Sequence, residues 1–364
     1  MGSPTRPLRI LHLTGRLNAR GGAGVHLLGV VAAQVEAGHA VAVAAGHADD
    51  APCAGAEVSI VPGLDARVGA PVDLDETVRR FAPDVVHLHT VVNPRVLEWA
   101  RGRAAVITVQ DHRYFCPARG KWTADGRPCT EALERALCAS CFDDPGYYDG
   151  IWTLTRERLE ALRALRVVVL SEYMREELRA AGLDGAQVHV VPPFASGVEG
   201  GGAGPAGPPC VLFAGRLTAS KGVADAVEAW RRADVGLPLL MAGAGALREW
   251  AGERGATMLG WVDRAGMAGL FARAAALLLP SRWQEPFGIV GLEALVHGVP
   301  VVAWRSGGIP EWHPGGDTLV EWGDVDGLAA ALRRVVGRRA QAPPGFGRGE
   351  LMSRLHGVYQ QALG

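Results

Sequence analysis

The chain repeats one local unit: a short apolar run, a turn rich in glycine or polar residues, and a stretch with helical spacing. LRILHL (8–13), AVAVAAG (40–46), DVVHLHT (84–90), AAVITVQD (104–111), LRVVVLS (165–171) and QVHVVPP (187–193) are the first runs. Helical patterns fall between them, at 25–37, 73–81, 93–101, 152–163 and 172–181. This succession predicts β-loop-α-β units of the doubly wound type. It is interrupted by ASGVEGGGAGPAGPP (195–209), which has almost no apolar side chains to bury and reads as a linker. The pattern then restarts with CVLFAG (210–215), LPLLMAG (237–243), ATMLGWV (256–262), AALLLPS (275–281) and VPVVAW (299–304). The expected fold class is therefore α/β, with two Rossmann-like domains enclosing a cleft. The expected boundaries are 1–194, a linker at 195–209, a second domain at 210–345, and a final helical segment within 346–364.

A length of 364 residues, 48% hydrophobic and 21% charged, suits two globular cores. A formal charge of -1, from 37 basic and 38 acidic residues, argues against a nucleic-acid scaffold. The weight of alanine, glycine, valine and arginine has a bacterial, high-GC flavour. No signal peptide or membrane-length apolar segment is visible, which makes a cytoplasmic location and no transmembrane segment the default expectation. Cys116, Cys129, Cys138 and Cys141 fall within 26 residues, in an insertion at 112–150. Their spacing leaves a structural zinc site and reduced, partly buried thiols both open, with disulfides less favoured.

The cations are unevenly chosen. Lys121 and Lys221 are the only lysines, and Lys221 lies in FAGRLTASKG (213–222), five residues after Arg216. A compact ammonium and a planar guanidinium past a strand end, where a helix begins, suit a phosphate-bearing ligand. PSRWQEPFGIVGLEALVHG (280–298) adds Glu285 in a loop, Gly288 and Ile289 at a helix start, and Glu293 one turn on. A loop carboxylate there would accept hydrogen bonds from sugar hydroxyls. SGGIPEW (306–312) follows the next strand as a tight turn. In the first half, the corresponding edge carries Gly21 and Gly22, then His89, Gln110, Asp111 and His112 past two strands. His87 and His89 are expected to face opposite ways or to lie at different depths.

These residues resemble the retaining glycosyltransferases of family 4 (GT4, group 1), which have the GT-B architecture of two facing Rossmann-like domains. GGAGVHLLGVVAAQVEAGHAVAVAAG is similar to the family's opening loop and helix, AGRLTASKG to its Arg/Lys phosphate motif, and EPFGIVGLE to its E-x7-E motif. The resemblance implies an acceptor-binding first domain and a nucleotide-sugar-binding second domain. Arg216, Lys221 and Glu285 would be catalytic. Gly22, Gly215, Arg216, Lys221, Glu285, Phe287, Gly288, Ile289 and Glu293 would bind the donor, and Gly21, His89, Gln110 and His112 the acceptor. No cofactor and no metal is implied beyond a nucleotide-sugar donor, taken as UDP-linked. The acceptor would be a small cyclitol, an aminosugar, a glycan or a lipid-linked sugar. The last helix would cross back onto the first domain.

Gln110 stands where many members have a histidine that touches the transferred sugar. An amide can hydrogen-bond there but cannot take a proton. VPPFASG also replaces the usual Pro-Asn-Gly turn. The expected activity is retaining sugar transfer; a nucleotide-sugar epimerase, a phosphorylase on the same fold, and a non-catalytic nucleotide-sugar-binding protein remain alternatives.

Overall fold

The computed structural model describes residues 6–49, 53, 55–118, 120–195 and 207–364, so most of the 195–209 linker lies outside the described residues. The chain forms two compact units. One gathers residues 1–120, 131–193 and 349–364, the other 121–130 and 194–348.

The first unit holds strands β1 (Arg9–Leu17), β2 (Ala40–Ala48), β3 (Glu57–Ile60), β4 (Val85–His89), β5 (Ala105–Val109), β6 (Arg166–Val169) and β7 (Val188–Val190). Their order is β3-β2-β1-β4-β5-β6-β7, and every pairing is parallel. Helices α1 (Gly22–Glu36), α2 (Asp75–Phe81), α3 (Pro94–Ala100), α4 (Arg135–Ala139), α5 (Pro145–Leu162) and α6 (Glu172–Ala180) lie between the strands in sequence. A parallel sheet covered on both faces buries consecutive residues, which explains why β5 is apolar but for Thr108 and why β4 is buried throughout, its two histidines included. Helix α5 begins earlier than its periodicity predicts. Asp144 accepts hydrogen bonds from the Gly146 and Tyr147 amides, and Pro145 occupies the first turn, so an apparent Asp-Pro-Gly turn is a helix cap.

The second unit holds β8 (Cys210–Ala214), β9 (Leu239–Ala242), β10 (Thr257–Gly260), β11 (Ala274–Leu279), β12 (Val301–Trp304) and β13 (Leu319–Val320), in the order β10-β9-β8-β11-β12-β13, again all parallel. Its helices are α7 (Val223–Ala233), α8 (Arg248–Gly252), α9 (Arg264–Arg273), α10 (Ile289–Val296) and α11 (Val325–Val335). A last helix, α12 (Arg348–Leu363), buries Leu351, Leu355, Val358 and Tyr359. Tyr359 bonds to Gln34 and His87 of the first unit.

Both sheets reverse strand order beside their first strand, between β1 and β4 and between β8 and β11. Ligands of open α/β sheets bind outside the carboxyl ends of strands at such switch points. No helix among the described residues is long and apolar enough to cross a membrane.

Candidate functional site

In the second unit, the loops leaving β8, β11 and β12 are fastened to one another. After β8 the chain passes Gly215 and the exposed Arg216, makes a 3-10 turn over Ala219–Lys221, and reaches α7 through Gly222. Gly222 has φ 70°, and a Cβ there would lie 1.7 Å from the Pro280 carbonyl oxygen, so no larger residue fits. The Ser220 carbonyl accepts the amides of Arg282 (3.0 Å) and Trp283 (3.1 Å). The SGGIPE segment closes the other side. Ser306 Oγ donates to the Trp283 carbonyl, the Gly307 amide to Gln284 Oε1, and the Gly308 amide to the Glu285 carbonyl.

This frame holds a compact charge cluster. Lys221 Nζ donates to Glu285 Oε1 at 2.6 Å, and Ser281 Oγ donates to the same oxygen at 2.5 Å. Glu285 is 3% exposed. Burial works to raise its carboxyl, but the charge and hydrogen bond of Lys221, helped by Ser281, hold it below the ordinary carboxylate range. The Trp283 indole lies beside both cations, 4.5 Å from Lys221 Nζ and 5.5 Å from the Arg216 guanidinium carbon, within cation–π range. The two cations differ in one respect. Lys221 has a carboxylate partner, whereas among the described residues no carboxylate pairs with Arg216.

Asp225, in the first turn of α7 and 4% exposed, receives a two-pronged bond from Arg282, at 2.6 and 2.7 Å. The Arg282 guanidinium carbon lies 6.0 Å from the Trp304 ring and 5.8 Å from the Trp322 ring. This pair bolts the Ser281–Glu285 loop to α7. Beyond the loop, Phe287 is buried and its carbonyl accepts from Trp312 Nε1. Gly288 caps α10 at φ 84°, and Ile289 begins the helix. Glu293 is half-buried, and burial pushes its carboxyl up to about 7 against the opposing pull of Arg264.

In the first unit, Gly21 caps α1 and Gly22 opens it. His89 ends β4, immediately before Thr90, which takes the left-handed conformation at φ 54°. Gln110 and His112 follow β5. The expectation that His87 and His89 face apart is overturned: their ring centroids are 3.9 Å apart. Residues two apart on a strand point to the same face. His12, on neighbouring β1, joins them, bonding through Nδ1 to His89 Nε2 at 3.0 Å and through Nε2 to Gln34 Oε1 at 2.7 Å. Burial lowers His12 to about 4 and holds His87 and His89 well below the ordinary imidazole range, so the group is neutral at pH 7. Gln110 Nε2 bonds to His26 Nδ1 at 2.6 Å. His112 is buried against Phe115 and lies 3.3 Å from the Tyr173 hydroxyl.

The six cysteines are thiols rather than disulfides. Among the described residues the only group with metal-ligand spacing is His12, His87 and His89, so the cysteines of the 112–150 insertion do not gather a zinc-binding set. Trp283, Ser281 and Asp225 are site residues that no motif marks individually, although the first two lie inside PSRWQEPFGIVGLEALVHG (280–298). The same holds for His12, His26, Gln34 and Tyr359. The signal for His12 was a polar residue inside an otherwise apolar strand.

Comparison with known proteins places these features in context. Residues 208–338 match the model described as "Glycosyl transferases group 1", and residues 20–195 that of "Glycosyltransferase Family 4". The chain is 39% identical over 149 residues to a glycogen synthase of Mycobacterium tuberculosis, covering 37% of this chain and 36% of that protein. It is 33% identical over 228 residues to an alpha-maltose-1-phosphate synthase of the same organism, covering 52% and 57% respectively. The chain thus spans roughly a third to somewhat over half of these curated relatives. Among solved structures, it is similar to the apo lipopolysaccharide outer core galactosyltransferase WaaB, with TM-score 0.63, 14% identity, and 97% and 99% of the two chains covered. It is also similar to Anabaena Alr3699/HepE in complex with UDP-glucose, with TM-score 0.63, 16% identity, and 97% and 98% covered.

Proposed function

We propose that this chain, a GT-B-fold relative of the group 1 and family 4 glycosyltransferases, transfers a sugar from a nucleotide-sugar donor to an acceptor hydroxyl with retention at the anomeric carbon. The observation that carries the reading is the pairing of two unlike cations, Arg216 and Lys221, around Trp283 at the carboxyl ends of β8 and β11. A diphosphate arriving there meets an exposed guanidinium with no carboxylate partner among the described residues, and an ammonium already held in place by Glu285. The UDP-glucose present with the HepE neighbour supports UDP as the nucleotide.

In the proposed step, the acceptor hydroxyl attacks the anomeric carbon from the face the nucleotide leaves. The bond from carbon to phosphate oxygen breaks, the new glycosidic bond forms, and the hydroxyl proton passes to the departing phosphate oxygen. Arg216 and Lys221 stabilise the charge that grows on the diphosphate. Glu285 exchanges part of its bonding to Lys221 for the donor sugar's hydroxyls, and Glu293 accepts from the ribose. Gly215, Phe287, Gly288 and Ile289 shape the donor side. Gly21, Gly22, His89, Gln110 and His112 belong to the side that meets the acceptor and the transferred sugar, and Gln110 orients a hydroxyl without moving a proton. The acceptor is a small soluble molecule or a glycan.

The test is a thermal-shift screen over nucleotide sugars, followed by incubation of the best donor with an acceptor panel and mass detection of product. Arg216→Ala and Lys221→Ala are expected to lower kcat by about ten- to a thousandfold at saturating donor. Wild-type turnover in both variants refutes the assignment. Conversion of the donor with no acceptor present points to epimerase chemistry instead.

A further inference from the structure

The three buried histidines belong to a longer hydrogen-bonded chain with a readable direction. Gln34 Nε2 donates to the Tyr359 hydroxyl oxygen at 2.8 Å, which leaves Gln34 Oε1 facing His12 Nε2 at 2.7 Å. An amide oxygen only accepts, so His12 carries its proton on Nε2 and offers a bare Nδ1. That nitrogen is 3.0 Å from His89 Nε2, which must therefore be the protonated one. His89 is left with a bare Nδ1, buried and without a partner. In the other direction, the Tyr359 hydroxyl, already accepting from Gln34, donates to His87 Nδ1 at 2.7 Å. His87 Nε2 then donates to Thr108 Oγ1, also at 2.7 Å. His12 and His87 have both ring nitrogens engaged, and among the described residues the metal-spaced group holds these three histidines alone. A divalent ion among these rings would have to take ring nitrogens already engaged and so would break the chain. The arrangement is better suited to fixing a tautomer than to holding a metal.

The far end of the chain lies among the candidate residues. His89 closes β4 beside the β1/β4 switch point. Gln110, past the adjacent β5, directs one amide hydrogen to His26, and its Oε1 is likewise buried without a partner among the described residues. The His26 ring centroid is 6.4 Å from that of His89. Two acceptor atoms with no protein donor among the described residues suit a group that brings hydrogens, as a sugar hydroxyl does.

We infer that Tyr359, Gln34 and His12 are positioning residues that lock His89 in the Nε2–H tautomer, so that His89 Nδ1 and Gln110 Oε1 accept hydrogen bonds from a hydroxyl of the bound sugar. The ligand half of this inference rests on the function proposed above; the tautomer half does not. Neither acceptor atom is open to solvent in this structure, so the hydroxyl reaches them through a local adjustment of the side chains. A chain of the opposite direction, with the Gln34 amide turned over, would make His89 Nδ1 a donor and reverse its preference.

The test is long-range 1H–15N correlation on full-length protein labelled with 15N-histidine, with the His89 resonances assigned by their loss in His89→Gln. Wild type is expected to show His89 with a protonated Nε2 and a bare Nδ1. Gln34→Met removes the acceptor that fixes His12, and Tyr359→Phe removes the hydroxyl that orients the amide; each is expected to give mixed His89 tautomers. A wild-type His89 protonated on Nδ1, or one unchanged in folded Gln34→Met and Tyr359→Phe, overturns the relay. UDP-glucose and UDP are then added in turn. A shift of the bare Nδ1 with UDP-glucose but not with UDP supports the sugar contact. Binding of both without that shift overturns the contact and leaves the proposed function standing. Binding of neither, nor of other nucleotide sugars, defeats the proposed function and the contact together, while the tautomer result stands on its own.

Discussion

Glu293→Gln is expected to make the protein more stable and less able to bind a nucleotide. The ordinary carboxyl value of 4.5 is raised to about 7 in the folded chain, chiefly by burial. Between those values the folded chain holds a proton that the unfolded chain has released, so wild-type stability falls as pH rises through that window. The difference of about 2.5 units corresponds to about 3 kcal/mol, present in full above the folded value. Glu293 keeps part of its surface in water, which trims the figure towards about 2 kcal/mol. A neutral amide removes this penalty. Urea denaturation should therefore show Glu293→Gln gaining about 2–3 kcal/mol over wild type at pH 8, and less than about 1 kcal/mol at pH 5. Calorimetry at pH 8 should show weaker UDP binding by the same variant if Glu293 has the proposed role, in which its carboxylate accepts from the ribose. An equal gain at both pH values refutes the argument from burial. A stability gain with unchanged UDP affinity refutes the ribose contact alone.

UDP affinity of the wild type should rise more steeply between pH 6 and pH 8 than that of Glu293→Gln, which keeps only the change due to ionisation of UDP's own terminal phosphate; calorimetric titration of both at four pH values checks the difference. Arg282→Met strands the buried Asp225 carboxylate and is expected to cost about 3–5 kcal/mol, most of it recovered by adding Asp225→Leu; equal urea midpoints for the single and double variants would contradict this. Gly222→Ala forces a Cβ into the Pro280 carbonyl at a positive φ and is expected to cost about 2 kcal/mol or more, read as a fall in Tm; an unchanged Tm would mean the loop after β8 has another geometry.

The fold was legible where local chemistry determines it. Strands buried on both faces leave consecutive apolar residues, so β5, β8 and β11 stand out as short, largely apolar runs. Helix α5 was misjudged at its start because Asp144-Pro145-Gly146 has the composition of a turn, and only the bonds made by Asp144 distinguish a cap from one. Candidate donor residues could be read because three of their loops are continuous in sequence. What joins those loops could not, since the bond from Arg282 to Asp225 spans 57 residues and that from Lys221 to Glu285 spans 64. The histidine chain was less legible still. Gln34 and Tyr359 are 325 residues apart, and each alone is an ordinary polar residue on a helix.

The position of α12 has a consequence for how the chain is made. During synthesis, the seven strands of the first sheet emerge well before Arg348–Leu363, separated from it by roughly 150 residues. At ordinary elongation rates that interval lasts about 8–30 s. Throughout it His87 and Gln34 lack the tyrosine that will bond to both, and the apolar surface awaiting Leu351, Leu355 and Val358 stays open on the nascent chain. The first half of the polypeptide is therefore the later half to be completed, and chaperone capture would be most useful in that window.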